Sequence, residues 1–224
     1  MDIGGGVAAT PVVWALPMAV GGFVLGWLSA RLTEWVTPPE EMPLIRWRSS
    51  AVRDPLVQVG LAAVWAAIPF LLGGDGVLRW LEAGLLALPL MQVGVTDLRT
   101  RYVYTVIAGI GLLIGLAIGW HVHGAVWWWS AIGAVGGAIA FGLLYGLGRL
   151  MYRGGEPMAR GDITIAAMVG AGAASQAAAA LIYGVIASGI LALGVLVVAR
   201  SRKVYMPYGP GLCLGGLITL LFLR

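Results

Sequence analysis

The chain has 224 residues, of which 60% are hydrophobic and only 11% are charged. A soluble domain carries about a quarter charged residues, so this composition excludes an ordinary water-soluble globule and a disordered chain. Glycine accounts for 35 residues without a three-residue period, which excludes a collagen-like chain and is typical of closely packed membrane helices. The formal net charge of +4 fits arginines that orient a membrane protein and does not indicate a nucleic-acid partner.

Stretches without Asp, Glu, Lys or Arg divide the chain into apolar segments. They cover residues 3–30, 55–74, 83–96, 102–148, 163–199 and 204–223. A membrane-spanning helix needs about 20 residues. The fourth stretch is therefore predicted to hold two helices with a break near 121–124, and the fifth to hold two short helices with a break within 170–176. The third helix is predicted to begin earlier, near Leu78.

These segments predict an all-α, polytopic integral membrane protein with about eight transmembrane helices. We expect the first helix to be a retained anchor, because Met1 and Asp2 supply no basic region before it. Twelve of the fourteen basic residues follow the first, third, fifth and seventh predicted helices, and only Arg79 and Arg224 fall on the other side. Cytoplasmic loops carry an excess of Lys and Arg, so both termini are predicted to lie outside.

The predicted turn after the fourth helix is rich in aromatic residues and holds both histidines. Trp120 and the tryptophans at 127–129 flank His121 and His123, as in an aromatic belt at a membrane interface. Two histidines at i and i+2 could bind a metal, but no acidic or third ligand lies nearby in the sequence, which favours interfacial histidines. The single cysteine, Cys213, excludes an internal disulfide and a cysteine zinc site.

Two carboxylates are the candidate functional residues. Asp97 ends the third predicted helix and Asp162 opens the sixth, both at predicted cytoplasmic ends. Acidic residues at membrane depth are costly and usually functional. Asp162 could instead cap its helix, and Asp97 could be an interfacial residue neutralised by Arg99 or Arg101. If the two carboxyls meet, one can take a proton from water while the other protonates a peptide carbonyl, although sequence spacing does not show that they meet.

Three segments, in order, resemble motifs of the type IV prepilin peptidases, which are G-x-G-D membrane aspartic proteases. Residues 159–171, A-R-G-D-I-T-I-A-A-M-V-G-A, are similar to that family's G-x-G-D-h-K-L-x-A-x-x-G segment. Residues 96–101, T-D-L-R-T-R, resemble the segment around its first catalytic aspartate, and 206–210, M-P-Y-G-P, resemble its P-F-G-P segment. The resemblance covers nearly the whole chain and agrees with the predicted topology.

The resemblance implies an aspartic endopeptidase that cuts the leader from type IV prepilin or pseudopilin precursors, after a Gly, at the cytoplasmic face of a prokaryotic cytoplasmic membrane. Its partners would be the precursor and bilayer lipid, and proteolysis would need no metal or cofactor. Asp97 and Asp162 would be catalytic. The residues implied to shape the substrate site are Gly161, Tyr208, Gly209 and Pro210.

The chain also departs from the family's pattern. Ala159 stands at the first glycine of G-x-G-D, and Thr164 stands at the usual lysine. The segment 32–54 lacks the two C-x-x-C pairs of larger members, so no zinc site of that kind is expected.

The resemblance divides one membrane domain, 1–224, into two parts. Residues 1–58 form an N-terminal helix and a short cytoplasmic loop, and 59–224 form the peptidase core. In bifunctional relatives the N-terminal part is associated with S-adenosylmethionine-dependent N-methylation, but Gln58 stands here where Glu is usual. Peptidase activity is therefore favoured over methylation. An inactive relative and a small ion or proton-coupled transporter using two carboxylates are the alternatives.

Overall fold

A computed structural model describes residues 11–36, 55–73, 76–100, 103, 105–151, 158–199 and 208–223. The secondary structure of these residues is entirely helical. The helices are α1 Pro11–Val36, α2 Pro55–Leu72, α3 Val77–Thr100, α4 Thr105–Val122, α5 Trp128–Met151, α6 Arg160–Ala173, α7 Ala177–Ala199 and α8 Gly209–Phe222, with a 3-10 turn, Ala174–Gln176, between α6 and α7.

The described helices agree with the predicted helical membrane protein. Six apolar helical runs are long enough to cross a membrane; one of them, Arg160–Gly194, covers α6 and most of α7, and α8 is a shorter apolar helix. The two breaks lie where the sequence predicts them, since α4 ends at Val122 and α6 at Ala173, and α3 begins at Val77. Eight membrane spans and external termini stay predictions. The predicted loop beyond Val36 and the motif residues Met206 and Pro207 lie outside the described residues.

Four helices form the centre of the protein. Helix α3 packs against α4 and α8, and α6 packs against the same two helices, so the four make a closed ring. Helices α1 and α2 pair with each other beside α3, α5 packs on α6, and α7 packs on α8. Helices α1, α5 and α7 turn large apolar side chains outward, as a lipid-facing surface requires. Examples are Val13, Leu16, Leu143, Leu147, Leu150, Ile190 and Leu193.

The contact between α5 and α6 depends on two glycines that face each other. A Cβ on Gly133 would overlap the backbone carbonyl of Gly170, and a Cβ on Gly170 would overlap that of Gly133. The helix backbones touch here, and backbone cannot rotate aside as a long side chain can. Small residues permit this close approach in membrane bundles. The pair therefore fixes how near α6, which carries Asp162, lies to its outer neighbour.

Replacing Gly170 by Ala is expected to destabilise the protein by about 1–3 kcal/mol, because the added methyl forces two backbones apart. The matched control is Gly136→Ala on α5, where an added Cβ meets nothing within 4 Å. Thermal unfolding of both purified variants in the same detergent measures the difference. Equal melting temperatures for Gly170→Ala, Gly136→Ala and the unsubstituted protein would contradict the packing described.

Candidate functional site

Asp97 lies in the last turn of α3 and is only 3% exposed. The backbone N–H of Gly209, at the start of α8, is directed at its carboxyl group. Its Oδ2 atom is enclosed and has no hydrogen-bond partner among the described residues. The sequence also allowed that Arg99 or Arg101 neutralises Asp97. The Arg99 side chain and Arg101 lie outside the described part of the chain, so this alternative stays open. A carboxylate removed from water costs several kcal/mol, so this enclosure marks Asp97 as a functional candidate.

Asp162 is the third residue of α6 and is 2% exposed. Its Oδ2 accepts a hydrogen bond from the Ala159 backbone N–H at 3.2 Å, and its own N–H donates to the Ala159 carbonyl at 3.1 Å. The alternative that Asp162 is the N-cap of α6 is therefore wrong, because Ala159 holds that position and Asp162, three residues on, reaches back to the Ala159 N–H. This contact does not require burial, because a helix can be capped at a solvent-exposed end. The enclosure of Asp162 calls for a further reason.

The fold brings the two aspartates together. Asp162 lies within electrostatic range of the Asp97 carboxyl, although the two come from helices well separated in the sequence. Gly209 borders both helices, since a Cβ there would meet Asp97 on α3 and Ile165 on α6. The Cys213 thiol on α8 lies within electrostatic range of both. It packs against α3 one turn before Asp97, where a Cβ on Gly94 would lie 3.1 Å from the Cys213 Cβ. Helices α3, α6 and α8 therefore converge near the two aspartates, with Cys213 beside α3 one turn from Asp97.

The start of α8 meets this site through a glycine. A Cβ on Gly209 would overlap Oδ2 of Asp97 and lie 2.8 Å from Cδ1 of Ile165, one turn along α6 from Asp162. Only glycine allows the α8 backbone to enter this space. Pro210 is buried at the second position of α8, where its missing N–H has no consequence. Tyr208, just before the helix, is half-buried. The fold thus sets Gly209 beside Asp97, with Tyr208 and Pro210 flanking it.

Gly161 lies beside the connection between α3 and α4. A Cβ at this position would lie 2.6 Å from the Cβ of Val103, on the chain between α3 and α4. Val103 is partly buried against the core. In this structure the space beside Gly161 is filled by the protein's own side chain. Gly161 therefore lets this connection pack next to Asp162.

A second polar cluster lies at the opposite end of α3. His121 Nδ1 contacts the Glu82 carboxylate, and Arg79 donates to the Val122 carbonyl, with Nε at 2.8 Å and Nη2 also in contact. The expectation that no acidic group lies near the histidines is therefore wrong, because α3 and α4 are neighbours and bring Glu82 to His121. Among the described residues, no three His, Cys, Asp or Glu side chains are grouped to hold a metal ion.

His123 lies in the same cluster and is half-buried. Its Nε2 atom is buried without a hydrogen-bond partner among the described residues. Burial, reinforced by the nearby Arg79 charge, lowers the pKa of His123 from 6.5 to about 4, although the Leu223 and Gly172 backbone groups oppose this shift. The imidazole is therefore neutral in the folded protein near pH 7, and folding disfavours its protonation.

Comparison with protein-family models, with curated proteins and with solved structures gave no match to this chain. Sequence reasoning identified Asp97, Asp162 and Gly209. It missed that Cys213 packs against α3 near Asp97, because an apolar run conceals which helix a residue faces.

The His123 environment predicts a dependence of stability on acid. Because its folded pKa lies below its unfolded value, the stabilisation is complete above pH 6.5 and is lost as the pH falls towards 4, by about 2 kcal/mol at pH 5. His123→Gln removes the titrating group. We expect its melting temperature in detergent to fall less between pH 7.5 and pH 5 than that of the unsubstituted protein. An identical fall in both would contradict the assignment.

Proposed function

We propose that this chain is a membrane aspartic endopeptidase that removes the leader from type IV pilin-like precursors at the cytoplasmic face of a prokaryotic cytoplasmic membrane. The observation that carries the proposal is the pairing of Asp97 and Asp162. Two buried carboxyl groups, from the last turn of α3 and the first turn of α6, lie within electrostatic range of each other in a largely apolar protein. Such a pair is costly to enclose, and functional carboxylates at membrane depth commonly bear that cost.

Paired carboxyls supply both proton transfers that peptide hydrolysis needs. One ionised carboxylate accepts a proton from water as the water oxygen bonds to the scissile carbonyl carbon. The other carboxyl, protonated, donates its proton to the carbonyl oxygen, which gives a neutral tetrahedral diol. Collapse of the diol breaks the C–N bond, with a proton delivered to the leaving nitrogen. Like charges held close together cannot both ionise readily, which favours the singly protonated pair that this reaction starts from.

The position of both aspartates at helix ends favours hydrolysis over transport. Transport sites commonly lie near the membrane midplane, where a helix is broken. Asp162 is in the first turn of α6, and the break in this part of the chain, the turn Ala174–Gln176, is at the other end of that helix. Asp97 is likewise in the final turn of α3. Both carboxyls are therefore at helix ends rather than beside a break.

The substrate class comes from the sequence resemblance at 96–101, 159–171 and 206–210. A pilin-like precursor has an apolar N-terminal helix, and that helix would lie against the apolar helices of this protein, with the leader on the cytoplasmic side. Methylation of the new N-terminus is left out of the proposal. Gln58 replaces the glutamate usual in methylating relatives, and the cytoplasmic segment before Pro55 lies outside the described residues.

Asp97→Asn and Asp162→Asn are each expected to abolish cleavage of a synthetic prepilin peptide that spans a leader and the apolar segment. Each variant removes one of the two proton-transfer groups, so a loss of at least about 1,000-fold in kcat is expected. Purified protein in detergent is mixed with the peptide, and products are resolved by mass spectrometry. The control is Glu82→Gln, which removes a carboxylate at the far end of α3 and is expected to leave kcat unchanged.

Near-normal turnover by either folded Asn variant would refute the catalytic pair. If the unsubstituted protein cleaves none of a panel of prepilin-like peptides, the peptidase proposal fails. Proton flux in proteoliposomes that both Asn variants abolish would then support the transport alternative.

Gly209→Ala is expected to lower kcat by about 10- to 100-fold, because its Cβ would occupy the space of the Asp97 carboxylate, and small displacements of catalytic groups have effects of this size. The control on the same helix is Gly216→Ala, whose Cβ meets only the side chains of Leu90 and Val169, at 3.2–3.4 Å. Cleavage rates of the two variants are compared at equal folded fractions. Equal rates would show that the close approach of α8 to Asp97 is unimportant for the reaction.

A further inference from the structure

The peptide unit between Tyr208 and Gly209 contacts Ser188 on one side and Asp97 on the other. Its carbonyl accepts a hydrogen bond from the Ser188 hydroxyl of α7 at 3.0 Å and another from the Leu212 N–H at 3.0 Å. Its N–H belongs to Gly209, which lies against the Asp97 carboxyl, since a Cβ on Gly209 would overlap Oδ2, and this N–H interacts with that carboxyl. A peptide unit is planar and nearly rigid, with C=O and N–H on opposite sides. A group that fixes the carbonyl therefore also fixes where the N–H points.

We propose that Ser188 is a positioning residue of the site and acts through this peptide unit on Asp97. The Ser188 hydroxyl holds the Tyr208 carbonyl on one side, and the Gly209 N–H is thereby held towards Asp97 on the other. The role in catalysis rests on the proposed peptidase function. The physical link from Ser188 to Asp97 does not, and it can be measured without any substrate.

The surroundings of Ser188 explain why a hydroxyl at this position reaches α8. Ser188 is 2% exposed, and a Cβ on Gly211 would overlap its backbone and hydroxyl, so α7 and the first turn of α8 are in close contact. Tyr208, just before α8, provides no side-chain cap, and Pro210 in the first turn has no backbone N–H. The Ser188 hydroxyl donates to the Tyr208 carbonyl, so this bond joins α7 to the start of α8.

The Ser188 hydroxyl has a second acceptor, the Gly184 carbonyl at 2.8 Å. Serines in membrane helices commonly donate to the carbonyl four residues earlier, so this bond alone would make Ser188 an ordinary helix residue. A hydroxyl has one hydrogen to donate, and here it is shared between α7 and α8. If the bond to Tyr208 only fastens the two helices, its loss should change stability and leave Asp97 unaffected.

Infrared difference spectroscopy of the full-length protein in detergent separates these roles. Spectra are recorded between neutral and acidic pH, and the C=O stretching band of protonated Asp97 is assigned by its absence in Asp97→Asn. We expect this band to shift in Ser188→Ala, because the Gly209 N–H that faces the carboxyl is no longer held. If Ser188→Ala does not fold, Ser188→Cys replaces it, since a thiol is a weaker donor.

The matched control is Thr219→Val. Thr219 is also fully buried, and its hydroxyl donates to the Gly215 carbonyl four residues earlier at 2.9 Å. It lies ten residues along α8 from Gly209, about 15 Å at 1.5 Å per residue. This variant loses a buried hydroxyl and a local bond in the same helix pair, and it is expected to keep the Asp97 band unshifted.

The activity measurement tests whether the link serves the reaction. With the synthetic prepilin peptide, Ser188→Ala is expected to lower kcat about 10-fold with little change in KM, the size expected for one positioning hydrogen bond. Ser188→Thr keeps a hydroxyl and is expected to restore both the band position and kcat.

An Asp97 band that does not move in Ser188→Ala overturns the proposal, as does an equal shift in Thr219→Val. A shifted band with normal kcat overturns the catalytic role. If the unsubstituted protein cleaves no prepilin, the proposed function fails, while the infrared result still decides whether Ser188 acts on Asp97.

Discussion

Two carboxyl groups enclosed within an apolar helical protein are the costly feature around which the central ring is organised. A charge transferred out of water loses several kcal/mol of solvation, and two nearby negative charges add repulsion. The compensation comes from backbone N–H groups at helix beginnings. Ala159, before α6, donates to Asp162, and Gly209, the first residue of α8, turns its N–H towards Asp97. Two helix N-termini, whose dipoles favour negative charge, therefore face the acidic pair.

This arrangement requires backbones to approach more closely than side chains normally permit. Gly209 lets the start of α8 reach Asp97, and the Gly133–Gly170 contact holds α5 directly against α6. Neither contact is available to a residue with a Cβ. Helix α7 supports α8 in turn, because the Ser188 hydroxyl reaches the Tyr208 carbonyl. Hydrogen bonds between helices and contacts between small residues replace the hydrophobic driving force that is absent between helices in lipid.

The lengths of the helices determine how deep the pair lies. Helices α6 and α8 have 14 residues each, about 21 Å at 1.5 Å per residue, whereas the hydrocarbon core is about 30 Å thick. If their C-terminal ends reach the outer boundary of the core, their N-terminal ends stop short of the inner one. Asp162, in the first turn of α6, and Asp97, beside the first residue of α8, are then recessed beneath the membrane surface. A recessed pair suits a substrate whose cleavage site adjoins an apolar helix, because such a peptide enters the membrane as far as the carboxyls.

The pattern of charge and hydropathy along the chain predicted where helices end and break. The charge-free runs located the breaks after Val122 and Ala173 and put both aspartates at helix ends. They did not predict which helices are neighbours, because apolar residues occur both on surfaces that face lipid and on surfaces that face another helix. Glu82 beside His121 and Ser188 beside Tyr208 both depend on that missing information. Ser188 carried one usable signal: a polar residue at mid-depth in an apolar helix needs an acceptor, and its own helix supplies one at Gly184. Because this local bond explains the serine completely, the sequence gives no reason to look for the second acceptor on α8.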